Sequence, residues 1–153
     1  MKTHLLKKLV FTLLTLLVLA GCRTYSDDDK QNFDKQIKEY LKSKNIVCKR
    51  SDSGLYYKII EQGSGKSIRF QDIVTFKYEG RLINGEMFDN QKEPIEFKVR
   101  DLIGAWKEIM LELKPGAKAF LVAPPQLGYG DHKLDDIPQN SILIYEIEIT
   151  DVK

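Results

Sequence analysis

Histidine, cysteine and tryptophan are scarce in this 153-residue chain, which has two histidines, two cysteines and one tryptophan. His4 and His132 are too few for a histidine-based metal cluster. The sequence also has no Gly-x-Ser-x-Gly nucleophile elbow, no phosphate-binding loop, and no basic stripe with interleaved aromatics of the kind that binds nucleic acid. These absences argue against a hydrolase, a metalloenzyme and a nucleic-acid-binding protein.

The first 21 residues have the layout of a secretory signal. A basic head precedes an apolar segment at 9–20, which is too short to span a bilayer as a permanent helix. The following LAGC motif, residues 19–22, resembles a bacterial lipobox, which implies that Cys22 is lipidated and becomes the mature N-terminus. A segment that is simply cleaved or retained is the alternative. Removal of residues 1–21 takes away three lysines and no acids, leaving 21 basic against 22 acidic residues and a net charge of −1.

Residues 22–32 are polar and charged, and we interpret them as a lipidated tether. Its acidic run, Asp27 to Asp29, is placed to help cap the next helix. Residues 33–50 are predicted to form an amphipathic helix and a linker, because apolar residues recur there at helical spacing: Phe33, Ile37, Tyr40 and Leu41. We expect this helix to dock on its own domain in a monomer, with a dimerisation helix as the alternative.

Cys48 is left alone once Cys22 is assigned to lipid, so it cannot form an internal disulfide. We expect it to be buried, and pairing between molecules is the alternative.

Residues 51–153 are predicted to form one domain of strands around a single helix. Alternating apolar residues indicate strands in the segments GLYYKII, DIVTFKYEGRL, IEFKV, KAFLVA and ILIYEIEITDV. Asn84-Gly85 predicts a tight hairpin turn with positive φ at both central positions. The period changes to helical over 102–113 and ends at Lys114-Pro115-Gly116. The expected fold class is α+β, a mostly antiparallel sheet whose apolar face is covered by the helix.

Aromatic side chains beside loops are the main candidates for binding groups. Tyr78 and Phe88 flank the hairpin, and Trp106 lies in the predicted helix, where it could equally be core. Tyr129 is the most informative, because a large aromatic between two loop glycines is held by backbone geometry and is available for binding.

The ordered set YEGRL, NGEMFD, LIGAW, LKPG, APPQLGYG and IPQNSILIYEIEI resembles the FKBP-type peptidyl-prolyl cis-trans isomerases from about Leu55 to Val152. The resemblance implies a twisted antiparallel sheet wrapped around one short helix, with a pocket between helix and sheet. It implies an enzyme that rotates x-Pro bonds in proline-containing polypeptides and needs no cofactor or metal.

Site residues are implied by the same resemblance. Four residues are implied to be catalytic: Asp89, Tyr129, Trp106 and Phe88. Five more are implied to bind substrate: Tyr78, Leu102, Ile103, Ile137 and Tyr145. The backbone N–H of Ile103 is implied to be a further donor to the bound chain, and the hydroxyl of Tyr129 to bond a substrate carbonyl.

The chain departs from the family pattern at several positions. Ala105 stands directly before the tryptophan where glycine is commoner, and its methyl group is expected to narrow the pocket or tilt the entry to the helix. Gly128 stands before Tyr129 where many members have alanine, and Ile95 replaces a common aromatic. NQKEP offers no arginine partner for Asp89. A non-catalytic binding module of the same fold therefore stays open beside the enzyme.

The lipobox resemblance implies a membrane-anchored lipoprotein of the bacterial cell envelope, and together with the family resemblance it implies an enzyme that assists the folding of exported proteins. Arg23 in place of an inner-membrane retention aspartate favours the outer membrane. The acidic SDDD segment resembles surface-export signals in some lineages, so periplasmic and surface exposure both stay open.

Overall fold

The computed structural model describes residues 25–153, so the predicted signal and Cys22 lie outside the described residues. The first element, helix α1, spans Asp27–Ser43. It starts at a capping box, in which Ser26 Oγ accepts from the Asp29 N–H and the Asp29 carboxylate accepts from the Ser26 N–H, both at 3.1 Å. Residues 27–32, which were predicted to be part of the tether, are therefore helical, because this cap starts the helix before its first apolar residue.

Six strands form one antiparallel sheet in the order β1-β2-β5-β6-β3-β4. The strands are β1 (Lys49–Arg50), β2 (Tyr56–Glu61), β3 (Ile73–Leu82), β4 (Met87–Lys98), β5 (Lys118–Ala123) and β6 (Leu143–Val152). Strand β4 is longer than the predicted IEFKV segment, because the residues after the hairpin also pair with β3. The short β1 was not predicted.

One face of the sheet packs against helix α2, Gly104–Met110, which confirms the expected α+β fold with a short central helix. The helix is shorter than the predicted stripe over 102–113, because Ile103 has extended backbone angles and acts as its N-cap. Leu102 and Leu113 flank the helix but remain buried in the same cluster. Short 3₁₀ turns at Val99–Asp101 and Pro125–Leu127 connect this layer to the sheet.

The opposite face is covered by α1, which confirms that this helix docks on its own domain. Its apolar residues Phe33, Ile37 and Leu41 pack against residues from three strands and the approach to β6: Tyr56, Phe120, Val122, Ile142 and Ile144. Strand β5 is apolar at nearly every position because its residues alternate between the two buried faces.

A polar cluster fixes α1 to the sheet at Asp34. The carboxylate accepts from Arg50 Nε and Tyr56 Oη, each at 2.7 Å, and pairs with Lys38 on the same helix at 2.7 Å. Partial burial would raise the pKa of Asp34, but the hydrogen bonds from Lys38, Tyr56 and Arg50 lower it to about 2. Burial, followed by the bond to Asp34, raises the pKa of Tyr56 to about 12.

The hairpin between β3 and β4 differs from the predicted turn. Gly85 has φ +93°, but Asn84 does not have positive φ. The Gly85 N–H donates to Leu82 O at 2.9 Å and the Leu82 N–H donates to Glu86 O at 2.8 Å, which is a three-residue connection with glycine in the left-handed position. Asn84 contributes its side chain, since Oδ1 accepts from the Glu86 N–H at 2.9 Å.

Cys48 is a half-buried free thiol packed against the α1 face of the sheet, and burial raises its pKa. Among residues 25–153, no helix is long and apolar enough to cross a membrane.

Candidate functional site

A cavity of about 510 Å³ opens between α2, strands β3, β4 and β6, and the loop after β5. All nine side chains that the resemblance assigns to a pocket line it: Tyr78, Phe88, Asp89, Leu102, Ile103, Trp106, Tyr129, Ile137 and Tyr145. They come from five separate parts of the chain, and the fold alone brings them together.

Trp106 forms the floor of the cavity. It is 6% exposed, and its ring meets those of Phe76, Tyr78 and Tyr145 edge to face at centroid distances of 5.0, 4.8 and 5.0 Å. Such perpendicular packing holds each ring in one orientation. The tryptophan is thus both part of the core and accessible from the cavity.

Phe88 forms one wall, and Gly80 makes its position possible. Gly80 pairs with Asp89 in β4 and with Tyr145 in β6. A Cβ atom at Gly80 would lie 2.5 Å from the Phe88 ring and 3.1 Å from the Tyr145 ring. The missing side chain therefore lets Phe88 lie over the strand and meet Tyr145 edge to face at 5.7 Å.

Asp89 finds a partner in Tyr78, not in an arginine. The Tyr78 hydroxyl donates to Asp89 Oδ2, and the Asn90 N–H donates to Oδ1 at 2.8 Å. Burial, followed by this hydrogen bond to the carboxylate, raises the pKa of Tyr78 well above its usual value. Tyr78 is therefore a neutral donor at physiological pH, and it fixes the orientation of the carboxylate at the cavity edge.

Tyr129 reaches the cavity from the loop that follows the 3₁₀ turn Pro125–Leu127. The Gly130 N–H donates to Pro125 O at 2.9 Å, so the tyrosine is held by a local backbone contact. Its neighbour Tyr145 is almost fully buried, and burial, followed by the proximity of Tyr129 and Tyr78, raises the pKa of Tyr145. The wall of the cavity thus carries hydroxyl groups beside apolar rings.

The methyl group of Ala105 does not narrow the cavity, contrary to the sequence-based expectation. Ala105 is fully buried in the core cluster and is not part of the lining. The preceding Gly104 lies against the loop, where a Cβ atom would be 3.3 Å from Leu127 O. Helix α2 therefore approaches the 3₁₀ turn at its glycine and directs the alanine into the core.

The cavity mouth contains residues that the sequence analysis did not assign to the site. Phe97 and Leu134 line it and are 46% and 41% exposed. Three carboxylates also line it: Asp101, Asp135 and Asp136. Ile95 also lines the cavity, and alternate residues of a strand lie on the same face of the sheet. The alternation in IEFKV therefore predicts that Phe97 lies on the cavity side. His132 has an 82% exposed side chain outside the lining, so this loop histidine faces solvent.

The site has the chemistry of a binding and positioning pocket. Its walls are aromatic and aliphatic, and its polar groups are tyrosine hydroxyls, the oriented Asp89 and the three carboxylates at the mouth. No group of three or more metal-ligating side chains occurs within residues 25–153. The arrangement can hold an apolar ring away from water and offer hydrogen bonds to the amide groups beside it.

These features define a class of proteins in which an antiparallel sheet and one short helix enclose an aromatic pocket. The chain belongs to the FKBP-type peptidyl-prolyl cis-trans isomerase family, whose sequence profile matches residues 65–150.

The curated relatives it matches are longer bacterial proteins. The chain is 37% identical to the FKBP-type peptidyl-prolyl cis-trans isomerase FkpA of Escherichia coli K12, with 89% of this chain and 52% of FkpA covered. It is 39% identical to a probable FKBP-type isomerase of Haemophilus influenzae, with 87% and 56% covered. The crystal structure of E. coli FkpA superposes with a TM-score of 0.72 at 32% identity, covering 95% of this chain and 71% of that one. The chain thus spans about half the length of the curated relatives it matches.

Proposed function

We propose that this chain is a peptidyl-prolyl cis-trans isomerase that rotates x-Pro bonds in exported proteins. The observation that carries the proposal is the convergence of Trp106, Phe88, Asp89 and Tyr129 on one open cavity. Family membership supports it, because the matched profile spans the strands, helix and loop that build the cavity.

The reaction breaks no bond. An x-Pro peptide rotates slowly because amide resonance must be lost at the midpoint, against a barrier of about 20 kcal/mol. The twisted amide separates less charge than either planar form, so an apolar pocket that excludes water favours it. Trp106, Phe88 and Ile103 would supply that surface to the proline ring. Because the pocket would then bind the twisted amide more strongly than the planar isomers, it would lower the barrier to rotation.

The polar groups position the chain on either side of the proline. The Tyr129 hydroxyl would donate to a substrate carbonyl, and the N–H of Ile103, the N-cap of α2, would be a second donor. Asp89, held by Tyr78, would orient the neighbouring amide. These are positioning roles, and they require no proton transfer.

An isomerisation assay on proline peptides, with each common residue type before the proline, tests the proposal. We expect acceleration by the purified chain, a decrease of about fivefold in kcat/KM for Tyr129→Phe as one hydrogen bond is lost, and a comparable or larger decrease for Asp89→Ala. Trp106→Ala is expected to lose most activity, and thermal unfolding of the same samples separates this loss from unfolding. No acceleration with any peptide would refute the enzyme.

A non-catalytic peptide-binding module is the second candidate, favoured by the engagement of Asp89 with a tyrosine in place of the arginine expected in the family. Binding of the same proline peptides without acceleration would support this module.

The proposal extends to the cell envelope. Cys22 would carry lipid and hold the domain at a membrane, with the outer membrane favoured. Cys22→Ser is expected to move the protein from the membrane fraction to the soluble fraction. Unchanged retention of the variant would count against lipidation.

A further inference from the structure

The loop between β5 and β6 carries both Tyr129 and Ile137 into the cavity. Residues 130–140 of this loop form an excursion whose two ends meet, because the Asn140 N–H donates to Gly130 O at 2.8 Å. We call this pair, Gly130 and Asn140, the loop base. Tyr129 directly precedes this base, and Ile137 lies within the excursion that the base closes. The position of the base therefore sets the position of both cavity side chains.

Tyr25, which precedes α1, contacts this loop base from outside the cavity. Its hydroxyl donates to Asn140 Oδ1 at 2.7 Å, across 115 residues of sequence. The same hydroxyl lies beside Gly130, since a Cβ atom built there would be 3.9 Å from Tyr25 Oη. Tyr25 thus bonds to one residue of the base and lies near the other.

Tyr25 is itself fixed by α1. Its ring meets that of Phe33 edge to face at 5.4 Å, and Phe33 is buried against the sheet. The next residue, Ser26, is locked in the capping box. A continuous set of contacts therefore runs from the sheet through α1 and Tyr25 to the loop.

The backbone of Asn140 also indicates that the base is held in place. Asn140 has φ +59°, a left-handed conformation that asparagine tolerates better than other non-glycine residues but that still carries a strain cost. Such a conformation persists where surrounding contacts fix it. Here the contacts are its own N–H bond to Gly130 and the side-chain bond from Tyr25.

We propose that Tyr25 and Asn140 are positioning residues of the cavity, which act through the loop base on Tyr129 and Ile137. The catalytic part of this inference rests on the proposed isomerase function. The structural part, that the Tyr25 hydroxyl restrains the loop base, does not.

The test compares Tyr25→Phe, Asn140→Gly and the double variant in the full-length chain purified in detergent. Glycine at 140 can adopt the positive φ and removes the side chain that carries the acceptor. Tyr40→Phe is the matched control, because Tyr40 is a half-buried tyrosine of α1 that lies near Arg81 and Glu146 of the sheet. The measurements are amide hydrogen exchange, kcat and KM with a proline peptide, and thermal unfolding.

For Tyr25→Phe we expect exchange of the Asn140 amide to become about fivefold faster, the factor of one hydrogen bond of ordinary net strength. We expect kcat/KM to fall by a similar factor, with the unfolding temperature close to that of Tyr40→Phe. The double variant should be no worse than the stronger single variant, since both remove the same contact.

Asn140 exchange in Tyr25→Phe equal to that in Tyr40→Phe would overturn the inference, and so would fully additive effects in the double variant. Hydrogen exchange needs no catalysis. An inactive wild-type chain would therefore refute the isomerase proposal, while the exchange result would still decide whether Tyr25 restrains the loop.

Discussion

The two faces of the sheet bury similar aliphatic side chains but are covered in different ways. The seventeen-residue α1 lies over one face. It is bonded to that face through Asp34, which accepts hydrogen bonds from Arg50 and Tyr56. The seven-residue α2 lies over the other, and the space it leaves is the cavity of about 510 Å³. A short helix on one side and a long one on the other thus separate the binding face from the supporting face.

This difference predicts that substitutions on the α1 face act on stability and substitutions on the α2 face act on binding. The loop restraint at Tyr25 is the exception, because there the supporting side reaches around to the cavity. The following substitutions test the division, from the largest expected effect to the smallest.

Ile37→Ala should have the largest effect, on stability alone. Ile37 is fully buried between α1 and the sheet, and truncation should lower the free energy of unfolding by about 3 kcal/mol. Urea unfolding measures this loss, and kcat/KM of the folded protein should stay at the wild-type value. Glu39→Ala, at an exposed position of the same helix, is the control. An Ile37→Ala variant as stable as this control would contradict the packing of α1.

Gly80→Ala should affect both properties. The new Cβ overlaps the Phe88 ring, so we expect the ring to move, kcat/KM to fall, and the free energy of unfolding to decrease by about 1–2 kcal/mol. Adding Phe88→Leu makes room and should restore stability without restoring activity. Wild-type activity in Gly80→Ala would show that the cavity does not need Phe88 as a wall.

Lowering the pH should weaken the α1 face through Asp34. Because the folded-state pKa of Asp34 is about 2, below its ordinary value of 3.8, its stabilising contribution is complete above about pH 4 and is lost as the pH falls towards 2. Because the charged partners Lys38 and Arg50 are partly exposed, we expect Asp34 to contribute about 1 kcal/mol to the free energy of unfolding. Urea unfolding between pH 2 and 6 should show this difference between wild type and Asp34→Asn narrowing at low pH. A pH-independent difference would contradict it.

Phe97→Ala should have the smallest effect on stability and a selective effect on binding. Phe97 is 46% exposed at the cavity mouth, so its loss should change the free energy of unfolding by less than about 0.5 kcal/mol. We expect a higher KM for peptides that extend beyond the proline, with kcat unchanged. Phe70→Ala is matched, because Phe70 is 44% exposed and lies outside the lining. Equal KM values for Phe97→Ala and Phe70→Ala would show that Phe97 does not contribute to peptide binding.

Much of the architecture could be predicted from the sequence, because the periods of its apolar residues are clear. Strand β5 was placed at its observed bounds, since its apolar run ends at prolines. The start of α1 was misplaced by six residues, because the apolar period begins at Phe33 whereas the cap lies at Ser26. A capping signal should therefore outrank the first apolar residue when a helix start is assigned.

The pairing of Tyr78 with Asp89 could not be predicted, because it depends on strand register. Arg81 pairs with Met87 but Gly80 pairs with Asp89, so β4 takes up one extra residue, Phe88, between these pairs, and Tyr78 then pairs with Gln91. This irregularity places Asp89 diagonally from Tyr78 on the same face of the sheet. The family resemblance identified both residues as parts of the site, but neither it nor the sequence pattern indicated that they bond to each other.

Trp106 is the only tryptophan of the chain, and it lies at the floor of the cavity beside Tyr78 and Tyr145. Its fluorescence therefore comes from one place, and a polypeptide that enters the cavity replaces water above the indole. Peptide binding should shift the emission and can be followed without any attached label. Each molecule thus carries an intrinsic optical reporter of whether its cavity is occupied.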